Sequence, residues 1–354
     1  MKTLENILSK IGKVSPALKD FEQYQPADEE EDKLLKRIRE MLPYYPDFAA
    51  LKHHEIDQLL DLANYHLEHG LNLKVPDGQE KTALNDTADV SNSALGLIPR
   101  PNITPIHGTH VAGILGAVRN NGKGMDGVAD HVEIMTIKVL TNIRELREED
   151  LARGIRFAAD HGAKVINLSF GKAYTWNEKA VNEAVKYAML KDVLIVHAAG
   201  NEGIDLDKTN IYPMPVYADV GRARAWIEVG ASGWKDDSTL KADFSNYGKN
   251  RVDVFAPGVE IYSCMPHSKY QSFSGTSMAA PVVSGLAALI REYYPHLKAW
   301  QVREIILASV VKPAHEVMVY AGGKSLKKVP FSEICVAGGI VNAYNALKLA
   351  AQYK

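Results

Sequence analysis

The sequence predicts an α/β fold, with a layered and mostly parallel sheet, and two observations carry that prediction. First, four short stretches, VEIMTIKVL (132–140), KVINLSF (164–170), DVLIVHAA (192–199) and AWIEVGAS (225–232), are mostly continuous apolar runs rather than alternating ones. That is the pattern of strands covered on both faces. Second, helical stretches such as EEDLARGIRFAADHG and NEKAVNEAVKYAMLKD lie between them. The resulting β-α-β-α order belongs to a sheet with helices packed on it. The 354 residues suffice for one large domain or two.

Taken in order, residues 1–70 read as helical. In MKTLENILSKIGK, Leu4, Ile7, Leu8 and Ile11 form one stripe, interrupted by Glu5, Lys10 and Lys13. This is not a secretory signal, and the chain carries no export address of its own. Asp28 and Glu31 predict a capping box ahead of KLLKRIREML, and the acidic DEEED run is a solvated helix start. Leu34, Leu35, Ile38, Met41 and Leu42 keep a helical period until Pro43 stops it. A second helix is expected from Phe48 to His69, with Gly70 as its C-terminal cap, completing a helical hairpin. His53, His54, His66 and His69 invite a metal reading. Solvated histidines on an amphipathic helix explain them better, because no thiolate or carboxylate cluster accompanies them. Residues 71–106, rich in Asn, Asp, Pro and Gly, read as a loop. From His107 to the C-terminus the strand and helix rhythm takes over, which sets the domains at 1–70, 71–106 and 107–354.

Composition removes several function classes. A net charge of -2 argues against nucleic acid as the main partner. No apolar run is long enough to span a bilayer. Cys264 and Cys335 are too few for a disulfide framework, although they leave a single bridge open.

Three stretches carry chemistry. In SFSGTSMAAP (272–281), Ser277 opens a helix that continues through VVSGLAALI. Thr276 or Gly275 can cap it, and Pro281 is expected only within the first turn. A serine there sits at the positive end of the helix dipole. IHGTHVAGILGAV (106–118) places His107 at a turn before a second small-residue helix. A serine hydroxyl becomes a good nucleophile only when a base such as histidine takes its proton. VHAAGNEG (196–203) places Asn201 just beyond a buried strand, where its amide can donate to a developing oxyanion. Taken singly, the three are an ordinary helix start, a structural histidine and a turn.

Together they resemble the subtilisin-like serine peptidases, the subtilases or S8 family. HGTHVAG, AAGNEG and SGTSMAAP are similar to that family's histidine, oxyanion and serine motifs, in its order. The resemblance runs from about residue 107 through the closing GGIVNAYNALKLA. It also looks like a Bacteroidetes-type subgroup with a helical insertion before the histidine motif. The resemblance implies a three-layer subtilisin-like fold preceded by a helical segment, secretion or a periplasmic location, polypeptide substrates and no cofactor for the chemistry. It implies that Ser277 is the nucleophile, that His107 is the general base and then acid, and that Asn201 with the Ser277 N–H binds the oxyanion. It further implies that Ser169, Phe170 and Gly171 form the strand edge on which substrate backbone lies. Ala198, Ala199 and Gly200 would wall the primary specificity pocket. For both segments the plainer alternative is that small residues pack the sheet. RNNGKGMDGVA (119–129) falls where many subtilases carry a calcium loop. Asn121 and Asp126 could supply oxygens, or the segment is a tight turn without metal.

One member of the family's triad, an aspartate at the end of a buried strand upstream of the histidine, has no clear counterpart. Asp77 in KVPDGQE lies 30 residues before His107, but Lys74 and Pro76 do not read as a central strand. Asp86 and Asp89 follow no apolar run. The simpler expectation is that Met1 is an internal methionine and the aspartate strand lies upstream. A central strand would then be missing, leaving an uncovered seam, and catalysis would be impaired. In subtilisin, loss of the aspartate costs about 3 × 10⁴ in turnover. The leading expectation is therefore a serine endopeptidase. A pseudoprotease that binds extended peptides is the alternative, and a helical interaction module on a peptidase scaffold is the third.

Overall fold

In a computed structural model, residues 2–13, 15–44, 47–52, 105–139, 146–217, 221–321 and 325–353 are described. The chain divides into two units, Met1–Thr104 with Leu140–Leu146, and Pro105–Val139 with Arg147–Lys354.

In the first unit the apolar stripes become helices. Helix α1 (Lys2–Ile11) buries Leu4 and Ile7. A short helix not foreseen from sequence, α2 (Leu18–Gln23), starts where the Asp20 carboxylate accepts the Ala17 N–H at 2.9 Å. It buries Phe21, whose ring lies 5.0 Å from that of Phe48. Helix α3 (Glu29–Met41) is capped by Asp28, which accepts the Glu31 N–H at 2.8 Å. The expected capping box is only half made. The buried Glu31 carboxylate instead accepts from the Ala27 N–H, Tyr24, Asn6 and Lys10. These donors, led by Ala27, hold it below the ordinary carboxylate range. Pro43 ends the helix in a single 3₁₀ turn, Leu42–Tyr44. Of the expected helix from 48, α4 (Phe48–Lys52) is described. His53, His54, His66, His69, Asp77, Asp86 and Asp89 lie outside the described residues.

The second unit is built on a parallel sheet of β1 (Val165–Leu168), β2 (Leu194–Ala198), β5 (Trp226–Ser232) and β6 (Val254–Pro257), in that spatial order. Two-residue strands β3 (Val216–Tyr217) and β4 (Gly221–Arg222) pair with each other. So do β7 (Ile261–Met265) with β8 (Lys269–Phe273), and β9 (Glu316–Ala321) with β10 (Ser325–Pro330). The helices are α5 (Ile106–Gly116), α6 (Glu148–Asp160), α7 (Glu178–Leu190), α8 (Thr276–Tyr293), α9 (Ala299–Ala308) and α10 (Ala343–Ala350). One face of the sheet, with Leu194, Val196, Ile227, Val229 and Val254, is buried against Ala280, Val283 and Leu286 of α8 and Val302 and Ile306 of α9. Helix α8 therefore rests on the sheet, with its N-terminus near the ends of the strands that precede the functional loops.

Three of the four predicted strands form. The fourth, 132–140, does not, because over 132–139 the chain makes no strand ladder. Its β-branched residues pack against helices instead. Val132 and Ile134 lie over Gly116, and Ile137 and Val139 over Gly154. A strand is defined by the neighbour it bonds, and over 132–139 no ladder partner occurs among the described residues. β1 is an edge strand with three of its four residues only half-buried, whereas β2 and β5 are buried throughout.

Candidate active site

Ser277 is the second residue of α8, after Thr276, with Gly275 as the N-cap. Contrary to the sequence expectation, Pro281 sits in the second turn, inside the helix. Proline has no N–H, so the Ser277 carbonyl loses its usual helical donor four residues on. The Ser169 hydroxyl replaces it, donating to the Ser277 carbonyl at 2.9 Å. In return Ser277 Oγ donates to the Ser169 carbonyl at 3.0 Å. Behind this pair Asn167 Nδ2 donates to Ser169 Oγ, and Ser284 Oγ donates to Asn167 Oδ1, both at 2.8 Å. The segment after β1 is thus tied directly to the candidate nucleophile.

Asn201 lies in the loop after β2. Its Oδ1 accepts both the Thr276 N–H, at 2.8 Å, and the Thr276 hydroxyl, at 2.9 Å. With the oxygen so occupied, the amide orientation is fixed and Nδ2 is left as the donor. Thr276 Oγ1 in turn accepts the Gly200 N–H at 3.1 Å. Gly200 has φ 101°, and a Cβ there would meet Asn246 Nδ2 at 2.5 Å and Glu202 Oε2 at 2.6 Å, so only glycine fits. The N–H groups of Thr276 and Met278 are taken by Asn201 and Gly275. Among the described residues none accepts the Ser277 N–H between them, as is usual in a first helical turn. Two donors, the Ser277 N–H and Asn201 Nδ2, are therefore available beside one hydroxyl.

His107 sits within the first turn of α5, not at a turn before it. Helix α5 packs on α8 and on β7, and both contacts depend on absent side chains. A Cβ on Gly113 would meet Ser263 Oγ at 2.4 Å, and one on Gly285 would meet Val128 Cβ at 2.7 Å and the Leu115 carbonyl at 3.1 Å. His107 itself is exposed, yet the surrounding protein desolvates its charged form and holds its pKa below the ordinary histidine value. Among the described residues no carboxylate hydrogen-bonds its ring, and Ser277 Oγ is turned to Ser169 rather than to it. His110, one turn on, is buried. Its Nε2 lies 3.0 Å from the Gln271 carbonyl and its ring stacks on Phe273 at 4.5 Å, so it serves the packing of α5 on the β7–β8 hairpin.

The remaining predicted residues fall as follows. Ser169, Phe170 and Gly171 directly follow β1, beside Ser277. Ala198 and Ala199 are buried with their methyl groups in core clusters, so what they can offer a ligand is backbone. In the 119–129 loop, Asp126 Oδ1 accepts the Asn120 N–H at 3.0 Å and Asn121 Oδ1 the Lys123 N–H at 2.8 Å. Both oxygens thus close the turn, and no cluster of three His, Cys, Asp or Glu side chains that could hold a metal occurs among the described residues. Cys264 and Cys335 are free thiols, which closes the option of a bridge; burial pushes Cys335 up to about 12. No described helix is long and apolar enough to cross a membrane. An open depression lined by Trp234, Asp236, Leu240 and Val311 contains none of the predicted residues. Sequence reasoning missed Asn167, Thr276 and Ser284, which orient the site, and the buried pair His197 and Glu228. Its signal was a charged or polar residue inside each of two apolar strands, LIVHA and WIEVGAS.

A profile described as the Subtilase family matches residues 100–329, well over half of the chain. Thermitase of Thermoactinomyces vulgaris is 43% identical over 185 residues, which are 52% of this chain and 60% of that protein. Subtilisin DY of Bacillus licheniformis is 39% identical over 197 residues, 56% of this chain and 67% of that one. The Cell wall-associated protease of Bacillus subtilis (strain 168) is 40% identical over 200 residues, but the match spans only 20% of its length. Among solved structures, one of proteases from Pseudoalteromonas arctica is similar with a TM-score of 0.55 at 29% identity, covering 69% of this chain and 70% of that one. The self-cleaved protease domain of PatA gives 0.54 at 29% identity, covering 69% and 83%.

Proposed function

The chain belongs to the Subtilase family, and we propose that it is a serine endopeptidase acting on polypeptides through an acyl-enzyme on Ser277. In this reading Ser277 Oγ leaves the Ser169 carbonyl and attacks the scissile carbonyl carbon while His107 takes its proton. The Ser277 N–H and Asn201 Nδ2 hold the resulting oxyanion. His107 returns the proton to the leaving amine as the C–N bond breaks, and a water, deprotonated by His107, then hydrolyses the ester. The observation that carries the proposal is the Asn201 amide, fixed by two Thr276 donors so that its Nδ2 stands free beside the nucleophile's own helix terminus. Substrate backbone lies along 169–171, and the 198–200 backbone borders the residue before the cleaved bond.

The proposed steps use protein groups and water alone, and in the 119–129 loop Asp126 Oδ1 and Asn121 Oδ1 each accept one amide of that loop. A secreted or periplasmic setting is part of the proposal and rests on family membership. A second reading, a non-catalytic relative that binds extended peptides, is favoured by two specific features. Ser277 Oγ points to Ser169, and no described carboxylate backs His107. Peptide hydrolysis by the purified chain beside Ser277→Ala separates the two. Turnover lost in the variant supports the enzyme, while equal rates from both overturn it.

A further inference from the structure

His197 lies on β2, inside an otherwise apolar strand, and is fully buried. Its alternation places it on the sheet face opposite to Val196 and Ala198, away from α8. Both of its ring nitrogens meet acceptors. Nδ1 is 2.8 Å from the carboxylate of buried Glu228 on β5, and Nε2 is 2.7 Å from the carbonyl of Phe170. A carbonyl has no proton to give, so Nε2 must carry one. The second proton of the pair lies between Nδ1 and Glu228. The carboxylate's other oxygen accepts Trp226 Nε1 at 2.8 Å, and the Glu228 N–H donates to Asp253 at 2.8 Å, so the support is itself held. Asp253 is paired with Arg222 and Arg303, each at 2.6 Å.

The carbonyl that His197 grips belongs to the segment proposed above to carry substrate. In extended chain, the N–H and C=O of successive residues point to opposite sides. With the Phe170 carbonyl held by His197, the trans peptide turns the Gly171 N–H the opposite way, and neither the N–H nor the C=O of Gly171 has a partner among the described residues. On either side the segment is fastened as well, at Ser169 by Ser277 and at Lys172 by reciprocal backbone bonds to Tyr212 of 3.0 and 2.8 Å. We propose that His197, backed by Glu228, is a positioning residue that holds the 169–171 edge in the orientation that binds substrate backbone, through a fixed Nε2–H donation to Phe170.

This rests on the proposed substrate role of 169–171, and the test keeps the two apart. It uses the full chain in a Ser277→Ala background, so that binding is read without turnover. The ligand is a blocked apolar tetrapeptide amide. A His197→Leu/Glu228→Gln double variant, which leaves no orphan charge, is expected to weaken its Kd about tenfold, the scale of one lost hydrogen bond. His197→Gln, which keeps an amide donor near the Nε2 position, is expected to stay within about twofold. Equal binding by the parent and the double variant would overturn the proposal. A parent that binds no peptide would overturn the substrate role of the edge and this proposal with it. Independently of binding or of how the double variant folds, ring ¹H–¹⁵N correlation on the unsubstituted chain reads the tether directly, the His197 signal being identified by its loss in His197→Gln. A protonated Nε2 at pH 8 is expected, and an unprotonated Nε2 sinks the idea.

Discussion

Pro281 removes one hydrogen bond from α8, and a single hydroxyl restores it. Because Ser169 Oγ stands in for the N–H donor that Pro281 cannot supply to the Ser277 carbonyl, Ser169→Ala should leave that half-buried acceptor unpaired. The expected cost is about 1–3 kcal/mol, seen as a lower urea midpoint at unchanged slope; an unchanged midpoint would contradict the role given to Ser169. His107 leads to a second expectation. Its pKa is lowered by desolvation, so the neutral form that acts as base persists to lower pH than for a free histidine. The rate at which a serine-directed probe labels Ser277 should rise with pH through an inflection below about 6.5. An inflection clearly above that value would mean that a carboxylate stabilises the imidazolium. Ser277, His107 and Asn201, the residues of the proposed site, can be picked from the sequence because each sits in a run of small residues that resembles a family motif. The bonds by which Thr276 and Ser169 orient the site, and the part played by His197, cannot, although the sequence marks Thr276 as a cap and Ser169 as part of the 169–171 edge. Their roles come from partners 75, 108 and 27 residues away, and no local pattern encodes those distances.

At the scale of elements, the two helices that carry His107 and Ser277 meet where Gly285 of α8 faces Val128 and the Leu115 carbonyl. Alanine there would gain about 1 kcal/mol in helix propensity, yet its methyl would have to enter a space 2.7 Å from Val128 Cβ. Overpacking of this kind costs about 1–3 kcal/mol. Gly285→Ala should therefore lower Tm and also slow Ser277 labelling, since α5 must move; a raised Tm would show that propensity wins. The strands at 164–170, 192–199 and 225–232 could be read from their continuous apolar runs, which match β1, β2 and β5. The run at 132–140 is likewise rich in β-branched residues, yet over 132–139 it forms no strand. Composition reports burial and β-preference, whereas a strand also needs a neighbour, and the neighbour is a property of the fold. Helix α2 was hidden for the opposite reason, since six residues give too short a window for periodicity and only the Asp20 cap marks it.

For the molecule as a whole, the family assignment and the parallel sheet agree with the α/β order of the sequence, and the residues of the proposed site come from α5, α8 and the loops after β1 and β2. The matched region spans 60% of thermitase and 20% of the Cell wall-associated protease, so the activity of the whole protein is a proposal and not a consequence of membership. What decides it is whether Ser277 and His107 work as a pair in this chain. The most direct measurement is intact mass after treatment of the purified chain with an organophosphorus serine-hydrolase probe, beside a Ser277→Ala control. A single adduct on the chain and none on the control is the result predicted here. A folded, soluble chain that forms no adduct would contradict it and leave the peptide-binding reading in its place.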